Sequence, residues 1–252
     1  MKPLSSLCLL LAVLLAAGCN TTPVRESDRA TANVVGNYVE LGIAYMKQGQ
    51  YDVALNRLQR ALDIDGSSPD AHNAMALLRQ QLEQPALAEE HFQKAIGYDA
   101  DFAAAHNNYG QFLCRRGRFE EGEREFILAA ENPLNKNRDT AYTNAGLCMR
   151  LQQDLDKTER YFREALRLNP KQPVALLAMA HLSFDEGRYL PARAYLQRYA
   201  EVGSPTPESL WLGYRVETEL GAQDAASSYA LALRGRFPDA EETRLLDEVQ
   251  SR

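Results

Sequence analysis

The residues able to do chemistry in this 252-residue chain are few and scattered. Its four histidines, His72, His91, His106 and His181, stand alone. None belongs to a His-Glu-x-x-His pair, which would place two zinc ligands and a general base on one helical face. No Gly-x-Ser-x-Gly elbow presents a nucleophilic serine, and no glycine-rich loop cradles a phosphate. The acidic doublets Glu89-Glu90 and Glu241-Glu242 read as solvated faces rather than acid–base pairs. No catalytic residue, metal, cofactor or small-molecule substrate is therefore expected. The formal charge of −6 argues against a nucleic-acid grip, which needs a basic surface. Thiols remain, at Cys8, Cys19, Cys114 and Cys148. Four are too few for a disulfide scaffold, so their positions decide what each does.

Cys8 lies in an apolar run from Leu4 to Ala17 that follows Lys2. The run is too short for a membrane span of about 20 residues but suits the core of a secretory leader. It ends in Leu15-Ala16-Ala17-Gly18-Cys19, which resembles the lipobox of bacterial lipoproteins, with Ala16 where leucine is commonest. The resemblance implies removal of residues 1–18, diacylation of the Cys19 thiol and acylation of the new N-terminus. The alternative is an ordinary secretory leader with an incidental cysteine. Asn20, where an aspartate would signal inner-membrane retention, implies the periplasmic leaflet of the outer membrane. Three acyl chains hold durably where one holds marginally. Residues 19–34 carry Thr, Ser, Pro and charges without periodicity and are expected to form a flexible, lipidated tether.

The rest of the chain repeats. Tyr38-x-x-Leu41-Gly42-x-x-Tyr45 aligns with His106-x-x-Tyr109-Gly110-x-x-Leu113 and with Tyr142-x-x-Ala145-Gly146-x-x-Met149. Each is followed by a second cluster: Ala54, Leu58, Ala61, then Gly122, Phe126, Ala129, then Thr158, Phe162, Ala165. A glycine turn separates the two parts at Gly49, Gly117 and Gly187, while Gly221 reads as one residue out of step. The pattern resembles the tetratricopeptide repeat, a helix–turn–helix unit of about 34 residues. It predicts an all-α, right-handed superhelical solenoid of six repeats: 35–68, 69–102, 103–138, 139–172, 173–205 and 206–239. Residues 240–252 are expected to supply a capping helix. Tyr38, Leu41 and Tyr45 share one helical stripe and are expected to pack. Pro69, Pro173 and Pro207 fall where first helices begin and a missing N–H is harmless. His72 and His106 occupy the position of Tyr38 and Tyr142 and read as packing residues, and Trp211 reads as core.

Cys114 and Cys148 fall late in the first helices of repeats three and four, which are neighbours in such a solenoid. Cys148 stands two residues short of the equivalent of Cys114. That stagger is compatible with a Cys114–Cys148 disulfide, expected in an oxidising periplasm; the alternative is two buried free thiols. In this fold, first-helix positions two, five, nine and twelve line the concave face. The candidate partner-binding residues are therefore Val39, Ile43 and Met46, then Asn73 and Leu77, then Asn107 and Gln111 with Arg115 beside the series, then Leu147 and Arg150. The apolar first group suits an amphipathic helix or an extended apolar peptide. The alternative is that the tether covers it.

A leader with a lipobox, six repeats, and cysteines in repeats three and four resemble the lipoproteins (pilotins) of type IV pilus biogenesis of the PilF/PilW type. Members of that family form a disulfide between those repeats, which implies a Cys114–Cys148 bridge. The resemblance also implies a non-enzymatic scaffold at the outer membrane. It would bind the pilus secretin subunit, escort it to the membrane and promote its multimerisation. Two other classes remain at this point: a general periplasmic adaptor lipoprotein, for instance one recruiting peptidoglycan enzymes, and an enzyme with a hidden site.

Overall fold

The computed structural model describes residues 26–251. The leader, Cys19 and residues 19–25 of the tether lie outside the described residues. The described residues form thirteen helices: α1 (Glu26–Lys47), α2 (Tyr51–Ile64), α3 (Pro69–Gln81), α4 (Pro85–Tyr98), α5 (Ala103–Arg115), α6 (Phe119–Glu131), α7 (Arg138–Gln152), α8 (Leu155–Leu168), α9 (Pro173–Asp185), α10 (Tyr189–Val202), α11 (Pro207–Glu219), α12 (Gln223–Arg236) and α13 (Glu241–Gln250). The first twelve pair in chain order into six antiparallel units, each stacked on the next, in a superhelical tetratricopeptide-type solenoid with α13 against its last pair.

Local chemistry starts and stops these helices. Proline opens α3, α4, α9 and α11, where the ring costs no hydrogen bond. The Ser68 hydroxyl accepts from Ala71 N–H, Asp154 accepts from Lys157 N–H, and Thr206 and Ser209 form a reciprocal capping box. The turn inside every pair is the same. The residue after a left-handed residue donates its N–H to the carbonyl five positions back: Gln50 to Tyr45, Gln84 to Arg79, Arg118 to Leu113, Asp154 to Met149, Arg188 to Ser183 and Ala222 to Glu217. Glycine supplies the left-handed residue four times, at φ between 71° and 76°. Gly221 is one of the four, so it is in register rather than out of step. Repeats two and four use Glu83 (φ 57°) and Gln153 (φ 64°) instead. A side chain there costs about 1 kcal/mol. We therefore expect Gln153→Gly to raise the urea midpoint by an amount corresponding to about 1 kcal/mol.

The core is a chain of repeated contacts. One large residue on each second helix, Leu58, Phe92, Phe126, Phe162 and Leu196, is buried beneath the first helix of the following pair. The helices of one pair approach closely because a small residue faces that large one: Gly42, Gly110 and Gly146 in repeats one, three and four, Ala76 and Ala180 in repeats two and five. A Cβ built on Gly146 would lie 2.7 Å from the Phe162 ring. Across the outer layer a carboxylate ladder fixes neighbouring second helices. Glu89 accepts from Arg118 at 2.5 Å, Glu123 from Lys157 at 2.7 Å and Glu159 from Arg188 at 3.2 Å. These half-exposed pairs contribute little stability each. Their recurrence one repeat apart specifies how the units stack.

Two sequence expectations change at the N-terminal end. Residues 26–34 read as tether in the sequence, but they are the first part of α1. Ala30 and Ala32 are strong helix formers, and Asp28 lies in the first turn, where the helix dipole favours an acid. Residues 27–34 are solvent-exposed all round, so no apolar periodicity marks them. Leu41, expected to pack, is 46% exposed.

The histidines divide by environment. The buried His72 ring places Nε2 3.0 Å from the Gly66 carbonyl and Nδ1 2.9 Å from His91 Nδ1. Burial, and for His91 also the facing His72, hold both rings below the usual imidazole range, His91 at about 4. At the same repeat position, His106 places Nε2 2.9 Å from the Ala100 carbonyl, but its Nδ1 meets Glu125 at 2.6 Å. Burial opposes protonation of His106, yet its hydrogen bonds to the Glu125 carboxylate and the Ala100 carbonyl outweigh it and raise the pKa. A raised folded pKa gives stability that is complete below the unfolded value near 6.5 and fades as pH climbs through the folded value. The depressed His91 behaves oppositely: its contribution is complete above about 6.5 and disappears as pH falls through about 4. His106→Gln should therefore destabilise more at pH 6 than at pH 9 in urea unfolding. Equal losses at both would contradict the assignment.

Candidate functional site

First helices α1, α3, α5, α7, α9 and α11 line the concave face. The structure sorts the ten residues expected there. Val39 is corrected: it is 6% exposed and packs with Ala71, Ala74 and Met75 of α3. The strip containing it turns into the α1–α3 contact, one of the two contacts, with α2 and α3, in which α1 buries its apolar surface. Ile43 and Met46 are half-buried at the edge of the same cluster. Ile43, Ala32, Val35 and Gly36 border a cavity of about 530 Å³ whose other wall is Asp65, Ser68 and Asp70. Burial, followed by the nearby Asp99, raises the Asp70 pKa.

Asn73 and Asn107 are half-buried and joined to the next repeat. Asn108 donates to the Asn73 side-chain oxygen at 3.1 Å, and Asn144 to that of Asn107 at 2.8 Å. This amide ladder crosses α3, α5 and α7 and leaves the Asn73 and Asn107 amide N–H groups for a bound chain. Asn108 and Asn144 stand one position after the groove series, so the spacing alone does not single them out. Leu77 and Gln111 are half-buried between the rungs. Arg115 is exposed and borders a cavity of about 310 Å³ with Gln80, Pro85, Phe112 and Arg116.

A further opening of about 590 Å³ lies along this face. Leu147 and Arg150 of α7 form one side, Val174, Leu177, Ala178 and His181 of α9 the floor, and Thr206 and Glu208 the far side. His181 Nε2 meets Glu208 at 2.8 Å. Burial keeps the imidazole below its usual pKa despite Glu208 and Asp185. The combination is an apolar floor with Arg150 at one end and a His181–Glu208 pair at the other, a surface for an extended chain with alternating side chains. Val174, Leu177 and His181 occupy positions two, five and nine of repeat five. Continuing the series past repeat four would have found them.

Cys114 and Cys148 are joined, with Cα atoms 5.7 Å apart, tying α5 to α7 directly behind Gln111 and Leu147. The bond is buried, and Gly122 of α6 presses on Cys114 so closely that a Cβ would collide with its sulfur. Among the described residues no cluster of three or more metal-ligating side chains occurs.

Comparison with known proteins agrees with the repeat architecture. Family models described as TPR repeat and tetratricopeptide repeat match residues 42–83, 73–139 and 139–172. The chain is 36% identical over 241 residues to the type IV pilus assembly protein PilF of Pseudomonas aeruginosa, covering 94% of this chain and 95% of that one. A solved structure of Pseudomonas aeruginosa PilF superposes with a TM-score of 0.78 at 34% identity, covering 87% of this chain and 99% of that one. That of PilW, described as a widely conserved type IV pilus biogenesis factor, gives 0.74 at 29% identity, covering 84% and 98%.

Proposed function

Because the chain belongs to the PilF/PilW-type tetratricopeptide-repeat proteins of type IV pilus biogenesis, we propose that it is an outer-membrane lipoprotein that binds the pilus secretin subunit. Binding on the concave face, together with the acyl chains on Cys19, brings the subunit to the membrane and promotes its multimerisation. The carrying observation is the concave face itself. Half-buried Ile43, Met46, Leu77 and Leu147 offer apolar contact, while Asn73, Asn107, Gln111, Arg115 and Arg150 offer hydrogen bonds to a backbone or acidic side chain. The apolar floor around Leu177 supports the same reading for the distal half.

The protein acts without chemistry of its own. It pre-orders a rigid groove, so a flexible segment pays the ordering cost once and on one surface. The covalent lipid is its only attached group, and neither a small-molecule substrate nor nucleic acid enters the mechanism.

Ile43→Asp, Met46→Asp and Leu177→Asp are each expected to weaken binding of the purified secretin subunit about tenfold or more, with the circular dichroism of the helices retained. Unchanged affinity in all three would move the site off the concave face. Anchoring is tested separately. A Cys19→Ala chain that still supports full secretin assembly at the outer membrane contradicts the piggyback route. Loss of the gene with altered murein and intact secretin multimers would instead favour the adaptor role.

A further inference from the structure

We propose that the outer face of α1 lies on the surface of the bilayer to which the chain is anchored, as a second, non-covalent contact. This rests on the anchoring reading at Cys19. The starting observation is a face left bare. In repeats two to six the seventh residue of the repeat, Met75, Tyr109, Ala145, Met179 and Leu212 in turn, is buried under the preceding second helix. No helix precedes repeat one, and the equivalent Leu41 is 46% exposed, with Val34 at 44%.

At 100° per residue, Val34, Tyr38, Leu41 and Tyr45 fall on one strip, flanked by Ala30 and Asn37. Of the charged residues of α1, Asp28, Arg29, Glu40 and Lys47 fall well outside it, and Glu26, in the first turn, falls beside Asn37 at its edge. An exposed strip without charge on a 22-residue helix, in a chain that is 25% charged, is not a solvated face. The two tyrosines pack one flank on the core of the first repeat, leaving the strip firmly seated. At the other end of the solenoid α13 covers the last pair, and its exposed side is mostly charged, with Glu241, Arg244, Asp247 and Glu248 beside Leu245 and Val249. A second copy stacking head to tail would have to seat the uncharged strip of α1 on this mostly charged side.

The membrane is the occupant favoured by distance. Only residues 19–25 separate the acylated cysteine from α1, a reach of about 24 Å when fully extended. The strip begins in the second turn, at Ala30, of a helix about 33 Å long. Tethering holds it at millimolar effective concentration, so a weak contact suffices. No described helix is long and apolar enough to cross a membrane, so α1 rests on the interface, with Tyr38 and Tyr45 at headgroup level. The array then stands end-on, and its concave face opens alongside the bilayer.

The test uses the purified, lipidated full-length protein in phosphatidylethanolamine/phosphatidylglycerol vesicles. An environment-sensitive fluorophore is placed on Leu41→Cys or, as control, on Leu190→Cys, which is 65% exposed in repeat five. Flotation reports anchoring independently. Co-flotation with a blue shift and loss of iodide quenching at position 41 but not at 190 is the expected result. Co-flotation with no change at 41 overturns the contact while leaving the anchor intact. Failure to float overturns the anchoring reading and the contact with it. A shift at 41 that requires added secretin subunit assigns the strip to the protein partner and overturns the membrane contact.

Discussion

Cys148→Ser, or full reduction of the Cys114–Cys148 bond, is expected to lower the stability of the array by about 4 kcal/mol. The bond spans 34 residues, one whole repeat, and closes that loop in the unfolded chain as well as in the folded one. Its contribution therefore lies in the entropy denied to the unfolded state. For a chain of this size, the loss corresponds to a fall in Tm of roughly 10 °C. The bond also joins first helices of adjacent repeats, α5 and α7, that otherwise meet through small side chains and the Asn107–Asn144 rung. Reduction should leave the helices formed and loosen the junction of repeats three and four, seen as faster amide exchange confined to α5–α7. Calorimetry of the oxidised and reduced protein measures the effect. Identical Tm values would show that the bridge is structurally idle.

Phe126→Ala is expected to cost about 3–5 kcal/mol. The ring is 1% exposed and sits among Ala145, Met149 and the disulfide. Large-to-small changes cost most where the walls cannot collapse. Here one wall is the backbone at Gly110, where a Cβ would already lie 2.9 Å from the ring, and another is the cross-linked pair of cysteines. Little can move inward, so the value should fall at the upper end. Because Phe126 and Cys148 share one cluster, the double variant Phe126→Ala, Cys148→Ser should lose less than the sum of the single losses. Urea unfolding checks both statements, and strict additivity would contradict the shared-cluster account.

The features legible in the sequence are those that recur. A glycine facing a large residue, a small–large–small second helix and a proline at a helix start repeat at a fixed period. The period supplies the solenoid before any contact is known. Features belonging to the ends are not legible. Val39 satisfies the concave-face spacing but is buried where α1 packs on α3. Leu41 satisfies the packing stripe but is exposed, because no second helix precedes repeat one to cover it. Residues 26–34 look like tether because a helix exposed on every side carries no amphipathic signal. The candidate site is partly readable. Its positions follow from the repeat, as Leu147 and Arg150 in the 590 Å³ cavity show. The amide ladder required coordinates, since Asn108 and Asn144 sit one residue off the series and join it only through side-chain reach.

One claim is central: the concave face of a membrane-anchored repeat array holds the secretin subunit. The most direct measurement is site-specific photocrosslinking in intact cells, with a photoreactive residue at Ile43 or Leu177 and, as control, at Leu231, which is 74% exposed on α12. A secretin adduct at the first two positions, absent at the third, is the predicted result. Secretin adducts at Leu231 alone, or none at any position in cells that assemble pilus secretin normally, would contradict it.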